Sequence, residues 1–287
     1  MAVTLLQHLV FGIVTGCILL LGSIGFSMIY TVKRFLNIGH AELLTTAAYI
    51  AYAFNVGLGW GLLPSSIVAI GLTTLLGLAI AQFLYKPMEA YGVLILVFTS
   101  VGVAFAQHGL LEFFAGPLIR SFKVAPQKAY RIGNIPLITP NEILIIAIAL
   151  FSLVILHLLL TKTKIGKAFR AVASQMDLAK TKGIDTDRIS VFVWVYASAM
   201  ASLAGILLAL ITSVNPELGW AQLLIIMSAS VLGGLGSIYG VMIGSILIGL
   251  AMDLGVILIP AGYRPAIAFA LIIVMLIVKP KGIFGGE

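Results

Sequence analysis

Residues 142–160 read EILIIAIALFSLVILHLLL, and residues 161–188, which follow directly, read TKTKIGKAFRAVASQMDLAKTKGIDTDR. The first stretch holds one carboxylate, at its edge, and is long enough as a helix to cross the roughly 30 Å hydrocarbon core of a bilayer. The second is basic and polar, so the apolar run ends at a water-facing connection. Outward from this pair the same alternation recurs. Apolar runs occupy 8–31, 37–55, 62–84, 92–114, 142–160, 189–212, 222–253 and 264–278. The run 222–253 is too long for one crossing and carries Gly233, Gly234 and Gly236 in its middle, so it reads as two segments split near 234–238. Glycines cluster in a membrane helix where the backbone is buried or lines a cavity. The expected fold class is all-α: a polytopic membrane helix bundle of eight to nine segments, some of them broken or re-entrant.

Composition leaves little else. Of the 287 residues, 61% are hydrophobic and 9% charged, against roughly 25% charged in a soluble domain. Such a chain cannot cover a water-facing surface, which excludes a soluble enzyme, a nucleic-acid-binding domain and a disordered protein. The one cysteine, Cys17, offers no disulfide framework. No Walker A, HExxH or GxSxG sequence is present, and no His or Cys beyond His40 lies at ligand spacing, so neither ATP hydrolysis, a metal site nor a cofactor is expected in this chain.

Basic residues orient the segments. With nine segments and the N-terminus outside, the interior connections 32–36, 85–91, 161–188, 234–237 and the tail from 279 hold twelve of the seventeen Lys and Arg residues. Arg120, Lys123, Lys128, Arg131 and Arg264 remain outside. This places the C-terminus inside a cytoplasmic membrane, with an external loop at 115–141 and a cytoplasmic loop at 161–188. No basic residue precedes the first run, so it reads as a retained anchor, not a secretory signal.

Three groups of residues stand out. In the loop 161–188, Phe169, Val172, Met176 and Ala179 recur at helical spacing between Lys167 and Lys182, giving an amphipathic helix that either lies on lipid or fills a groove on a partner; Gly183 ends it. At 37–42, Asn37-Ile-Gly-His40-Ala-Glu42 puts three polar side chains at membrane depth. Asn37 reads as an N-cap and Glu42 as a carboxylate at the helix N-terminus, while His40 points to a translocation path or gate. His108 and Glu112, four apart, read as a pair. His8, Glu142, His157 and Asp253 fall near span ends, within reach of water. The small-residue series Gly12–Gly16, Ala197–Ala201–Gly205 and Gly236–Gly240–Gly244 read as close helix packing.

These residues also resemble a known family, the permease subunits of branched-chain amino acid ABC importers. The segment 37–42 is similar to the family's N-F-A-H-G-E, with Asn37, His40 and Glu42 retained. Gly166-Lys-Ala-Phe169-Arg170-Ala171-Val172-Ala173, with Gly183-Ile184 and Asp187-Arg188, resembles its cytoplasmic G-x-A-x-R-A-x-A…GI-x-x-x-R loop. Val231-Leu-Gly233-Gly234-Leu-Gly236-Ser237 and Pro280-Lys-Gly282-Ile-Phe284-Gly285 resemble its V-L-G-G-x-G-S and P-x-G-L-F-G blocks. Tyr239 departs from a usual Pro, and Lys33-Arg34 from small or apolar residues. The resemblance implies one transmembrane permease domain over 1–287, not itself an enzyme. It also implies alternating access, and a coupling helix (Gly166, Phe169, Arg170, Ala171, Val172, Met176, Gly183) seated on ATP-binding subunits. The implied partners are two cytoplasmic ATPases that bind the ATP, a second permease, an external solute-binding protein and the lipid membrane. The alternatives are a proton-coupled secondary transporter using His40/Glu42 or His108/Glu112, a permease for urea or amides, and an intramembrane enzyme at His40. The sequence leaves open which solute is carried and whether the two permeases are identical.

Overall fold

The computed structural model describes residues 2–125, 127–132, 135–279 and 282–284. Twelve helices follow in chain order: α1 (Ala2–Lys33), α2 (His40–Tyr52), α3 (Leu62–Ile80), α4 (Lys86–Met88), α5 (Val93–Ala115), α6 (Pro140–Lys162), α7 (Lys164–Ser174), α8 (Met176–Thr181), α9 (Thr186–Ile211), α10 (Leu218–Gly233), α11 (Ile238–Gly255) and α12 (Arg264–Val278). Among the described residues, seven helical segments are long and apolar enough to cross a membrane. Each of the nine expected segments holds a helix. The two that fall short are α2, which runs on only through a π-turn at Ala53–Gly57, and α10. Sixteen residues of α10 reach about 24 Å at 1.5 Å per residue, less than the hydrocarbon thickness.

Helix α1 forms the centre, packed by α9, α10 and α11. Lipid supplies no hydrophobic drive for association, so backbones must come close enough for dispersion to act. A Cβ on Gly12 would stand 2.9 Å from the Leu250 Cα, and one on Gly16 2.9 Å from the Ile246 Cα, both on α11. Gly25 lies as close to Ala197 of α9, and Gly244 to Ala229 and Gly233 of α10. Gly205 of α9 meets the backbone of Leu44. These small residues are thus packing seams within one chain; Gly236 is the exception, lying in the break before α11 and approaching no backbone closely.

Span ends follow capping chemistry. Thr139 and Glu142 form a reciprocal capping box at the start of α6, so Glu142 serves the helix end. Thr163, Asp185 and Ser237 accept from backbone N–H groups at the starts of α7, α9 and α11. Asp253 corrects the expectation of water at its position. It is buried, accepts from the Thr15 hydroxyl at 2.6 Å and is ion-paired with Arg264, tying α1, α11 and α12. His157 Nδ1 meets the Tyr239 hydroxyl at 2.9 Å, so the residue that departs from Pro links α11 to α6. Between α5 and α6 a short antiparallel hairpin pairs β1 (Tyr130–Ile132) with β2 (Ile135–Ile138).

Candidate functional site

The chain does not pass directly from α1 into α2. After Lys33 it turns at Arg34, a non-glycine residue at φ 58°, and runs through Phe35–Gly39, with Phe35, Asn37 and Gly39 buried and Leu36 and Ile38 partly so, before α2 begins at His40. Backbone groups inside a bundle need partners, and Ser100 of α5 supplies one: its hydroxyl accepts from the Ile38 N–H at 3.2 Å while its own hydrogen goes to the Val97 carbonyl at 2.7 Å, with the Leu36 carbonyl farther off at 3.3 Å. Asn37 is not the N-cap. Gly39 holds that position without a side-chain bond, and the Asn37 carbonyl oxygen Oδ1 accepts from the Tyr85 hydroxyl at 2.9 Å. Tyr85 is itself stacked on Trp194, ring centroids 5.1 Å apart. A side chain committed to α3's extension cannot also reach the first turn of α2.

His40 is fully buried, and its Nε2–H donates to the Gly22 carbonyl, about two-thirds of the way along α1 and three turns from its end, at 3.0 Å. Helix α2 therefore starts in the interior of the bundle. Helix α10 starts beside it, with the Gly219 N–H donating to the Thr45 hydroxyl at 2.9 Å. Two helix N-termini, each with its positive dipole end, meet in the interior. Glu42 lies between them. Its side chain is 1% exposed, and neither carboxylate oxygen has a hydrogen-bond partner. Its Oε1 lies 3.5 Å from His108 Nδ1, and His108 Nε2 lies 3.5 Å from Glu217 Oε1.

The expected His108–Glu112 pair is not made. His108 faces α2 and the start of α10, whereas Glu112, one turn on, is exposed. Glu217 was not legible as a site residue; its only signal is a carboxylate in the short Asn215-Pro216-Glu217 connection between two apolar runs. Next to the trio, α2, α3 and α5 enclose an open cavity of about 540 Å³ walled by Thr46, Tyr49, Leu76, Gln107, Leu111 and Phe114, with Arg120 at its rim. Gln107 is buried there with neither amide atom paired.

The basic loop is also placed differently from its reading. One helix over 167–182 was expected; two form, α7 and α8, because Gln175 adopts an extended conformation (φ −149°, ψ 105°). The apolar stripe turns inward. Phe169 is 2% exposed, Val172 and Ala179 are buried in the core, and Met176 is partly covered. Gly166 packs on the last carbonyls of α6, which leaves no room for a Cβ. Phe169 and Val172 thus hold the elbow to its own chain and are not its outer face, since apolar side chains bury on the nearest dry surface. Arg170 donates to the Leu160 carbonyl at 2.8 Å and Arg34 to the Ala173 carbonyl at 2.7 Å, clamping α7 to the ends of α6 and α1. Facing outward are Ile165, Lys167, Gln175 and Leu178, the last 53% exposed, while Ala171, Gln175 and Leu178 edge a groove of about 200 Å³. Gly183, at φ 80°, follows the end of α8.

At the second interruption α10 ends at Gly233 and α11 starts at Ile238, with Gly234 at φ 105° and Gly236 at φ 90°. The tail closes this break: the Ile283 N–H donates to the Leu232 carbonyl at 2.9 Å and the Phe284 N–H to the Gly233 carbonyl at 3.1 Å. Pro280, Lys281 and Gly285 of the tail motif lie outside the described residues.

The family described as the permease component of branched-chain amino acid transport systems matches residues 8–278. The chain belongs to this family. It is 28% identical to the high-affinity branched-chain amino acid transport system permease protein LivH of Escherichia coli (strain K12), covering 98% of this chain and 95% of that one. It is 27% identical, over the same shares, to the corresponding permease protein BraD of Pseudomonas aeruginosa. In fold it is similar to a solved chain of PsaBC from Streptococcus pneumoniae in complex with Fab, at TM-score 0.54 and 15% identity, covering 97% and 92% of the two chains. As a member of the transport-system permease family, the chain is a multi-pass membrane protein of the ABC-importer permease type.

Proposed function

We propose that this permease carries a branched-chain amino acid inward along a path that includes His40 and Glu42. Movement of the path would be driven by two cytoplasmic ATP-binding subunits seated on the outer face of α7 and α8. The ATP is theirs; the whole chain acts as one transmembrane permease domain and needs no cofactor of its own. The N-terminus lies outside and the C-terminus inside, as the distribution of basic residues favours. A second permease completes the path, and an external binding protein docks on the basic outer segment 115–140 (Arg120, Lys123, Lys128 and Arg131), of which Lys123, Lys128 and Arg131 are exposed.

The observation that carries this reading is the double clamp on α7. A push on the elbow reaches α6 through Arg170 and the buried Phe169. It reaches the start of α2 through Arg34, only six residues before His40. The coupling residues thus act by joining the elbow to the spans, while Ile165, Lys167 and Leu178 make the contact.

Proteoliposomes of the co-expressed system, with ATP enclosed and the binding protein and leucine added outside, test it. ATPase subunits are expected to co-purify with the chain, and leucine uptake is expected to require ATP and to persist when the proton gradient is collapsed. Arg170→Glu and Arg34→Ala are expected to leave assembly intact and to lower leucine moved per ATP hydrolysed by about tenfold, the weight of one charge-assisted hydrogen bond lost from the clamp. Uptake per ATP unchanged in both variants would remove the coupling assignment.

A further inference from the structure

Glu42 poses a problem that the helix dipoles alone do not answer. An ionisable side chain in a membrane segment is costly unless it pairs with another group. Here neither carboxylate oxygen receives a well-aligned hydrogen bond; the groups that face them are the Thr45 hydroxyl, the His108 ring and, beyond it, a second carboxylate. No Lys or Arg pairs with Glu42 among the described residues. Beside the trio, the helix face that carries Glu42 continues one and two turns on through Thr46 and Tyr49, which line the cavity of about 540 Å³. On α5, His108 is followed one turn on by Leu111 of the same wall.

We infer that Glu42, His108 and Glu217 form a binding station for the primary ammonium group of the solute, with the apolar cavity between α2 and α5 receiving its aliphatic side chain. The inference rests on the importer reading above and sharpens it. An ammonium offers three donors and a positive charge but no acceptor. Two carboxylates on either side of the His108 ring supply the acceptors and the negative charge that match that pattern. Urea or a neutral amide brings no charge to Glu42 and must satisfy acceptors of its own, so this station selects against both. Glu217, 65% exposed, is reached first, and buried Glu42 lies deeper. An ammonium moving from one to the other passes His108, 3.5 Å from each. The aliphatic part contributes by burial in the cavity, and the absence of a close steric wall leaves leucine, isoleucine and valine all admissible.

The test is competition, using the full chain purified with its co-purifying subunits in lipid nanodiscs. Bound radiolabelled leucine is challenged with 3-methylbutylamine, which keeps the ammonium and lacks the carboxylate, and with 4-methylpentanoate, which keeps the carboxylate and lacks the ammonium. The amine is expected to displace leucine at concentrations at which the acid does not. Glu42→Gln is expected to weaken the amine's competition by about 10- to 100-fold, the range of a lost charge-assisted hydrogen bond, and Glu42→Asp to recover part of it. Should Glu42→Gln fail to assemble, Glu217→Gln, at the exposed end of the trio, carries the same measurement. Absence of leucine binding, equal competition by amine and acid, or amine competition unaltered in the variants would each overturn the station. Equal competition alongside ATP-dependent uptake removes the station and keeps the importer. Failure of any ATPase to co-purify removes the importer reading and leaves the amine-against-acid result to be read by itself.

Discussion

The two places where a helix breaks off inside the bundle are built from different materials. Before α11, the break at Gly234–Ser237 uses two glycines at positive φ, a serine cap and the returning tail, whose N–H groups take the last carbonyls of α10. Before α2, the break at Arg34–Gly39 uses a strained arginine, one serine hydroxyl accepting from the Ile38 N–H, and a helix start with no side-chain cap. The first is closed on itself. The second opens onto an unpaired carboxylate and an imidazole. Irregular backbone at membrane depth is tolerated in either setting, and the difference shows that a break is a site only where its polar groups are left over.

That contrast can be broken by changing stability at one site and transport at the other. The largest stability loss is expected for Gly282→Val. Its φ is 80°, and a Cβ there meets Gly234, so strain and overlap together cost about 3 kcal/mol or more and lower the thermal midpoint in detergent. Ser100→Ala is expected to cost about 2 kcal/mol, since the Ile38 N–H is left inside the bundle without its acceptor. If Ser100→Ala melts as the parent does, the re-entrant turn is not held as described. Ser237→Ala removes one N-cap, worth about 1 kcal/mol, with leucine uptake per folded molecule unchanged. A transport defect in that variant beyond its loss of folded protein would erase the distinction between the two breaks.

Much of this was legible along the chain. Apolar run lengths located the seven helical segments long and apolar enough to cross a membrane, as well as the shorter α2 and α10, and the glycine cluster located the split between α10 and α11. The blocks at 37–42 and 166–188 named residues that lie in the turn leading into α2 and in the elbow formed by α7 and α8. What the reading missed follows one pattern. Asn37 was given a local role as a cap and has a long-range one with Tyr85, 48 positions away. The stripe of Phe169 and Val172 was correctly apolar, but periodicity does not say which neighbour covers it. Gln175 carries no glycine or proline signal, so the elbow at that position was invisible.

The sequence by itself determined that this protein lives in a membrane and where its helices lie, because transfer of apolar side chains from water and backbone hydrogen bonding within a helix are both local to each segment. Only the tertiary structure decided that Glu42 meets His108 and that Glu217, 175 residues from Glu42 along the chain, closes the group. Which polar side chains share a space depends on how glycine seams let α1, α9, α10 and α11 approach, and that is a property of the packed assembly of helices, carried by no single segment.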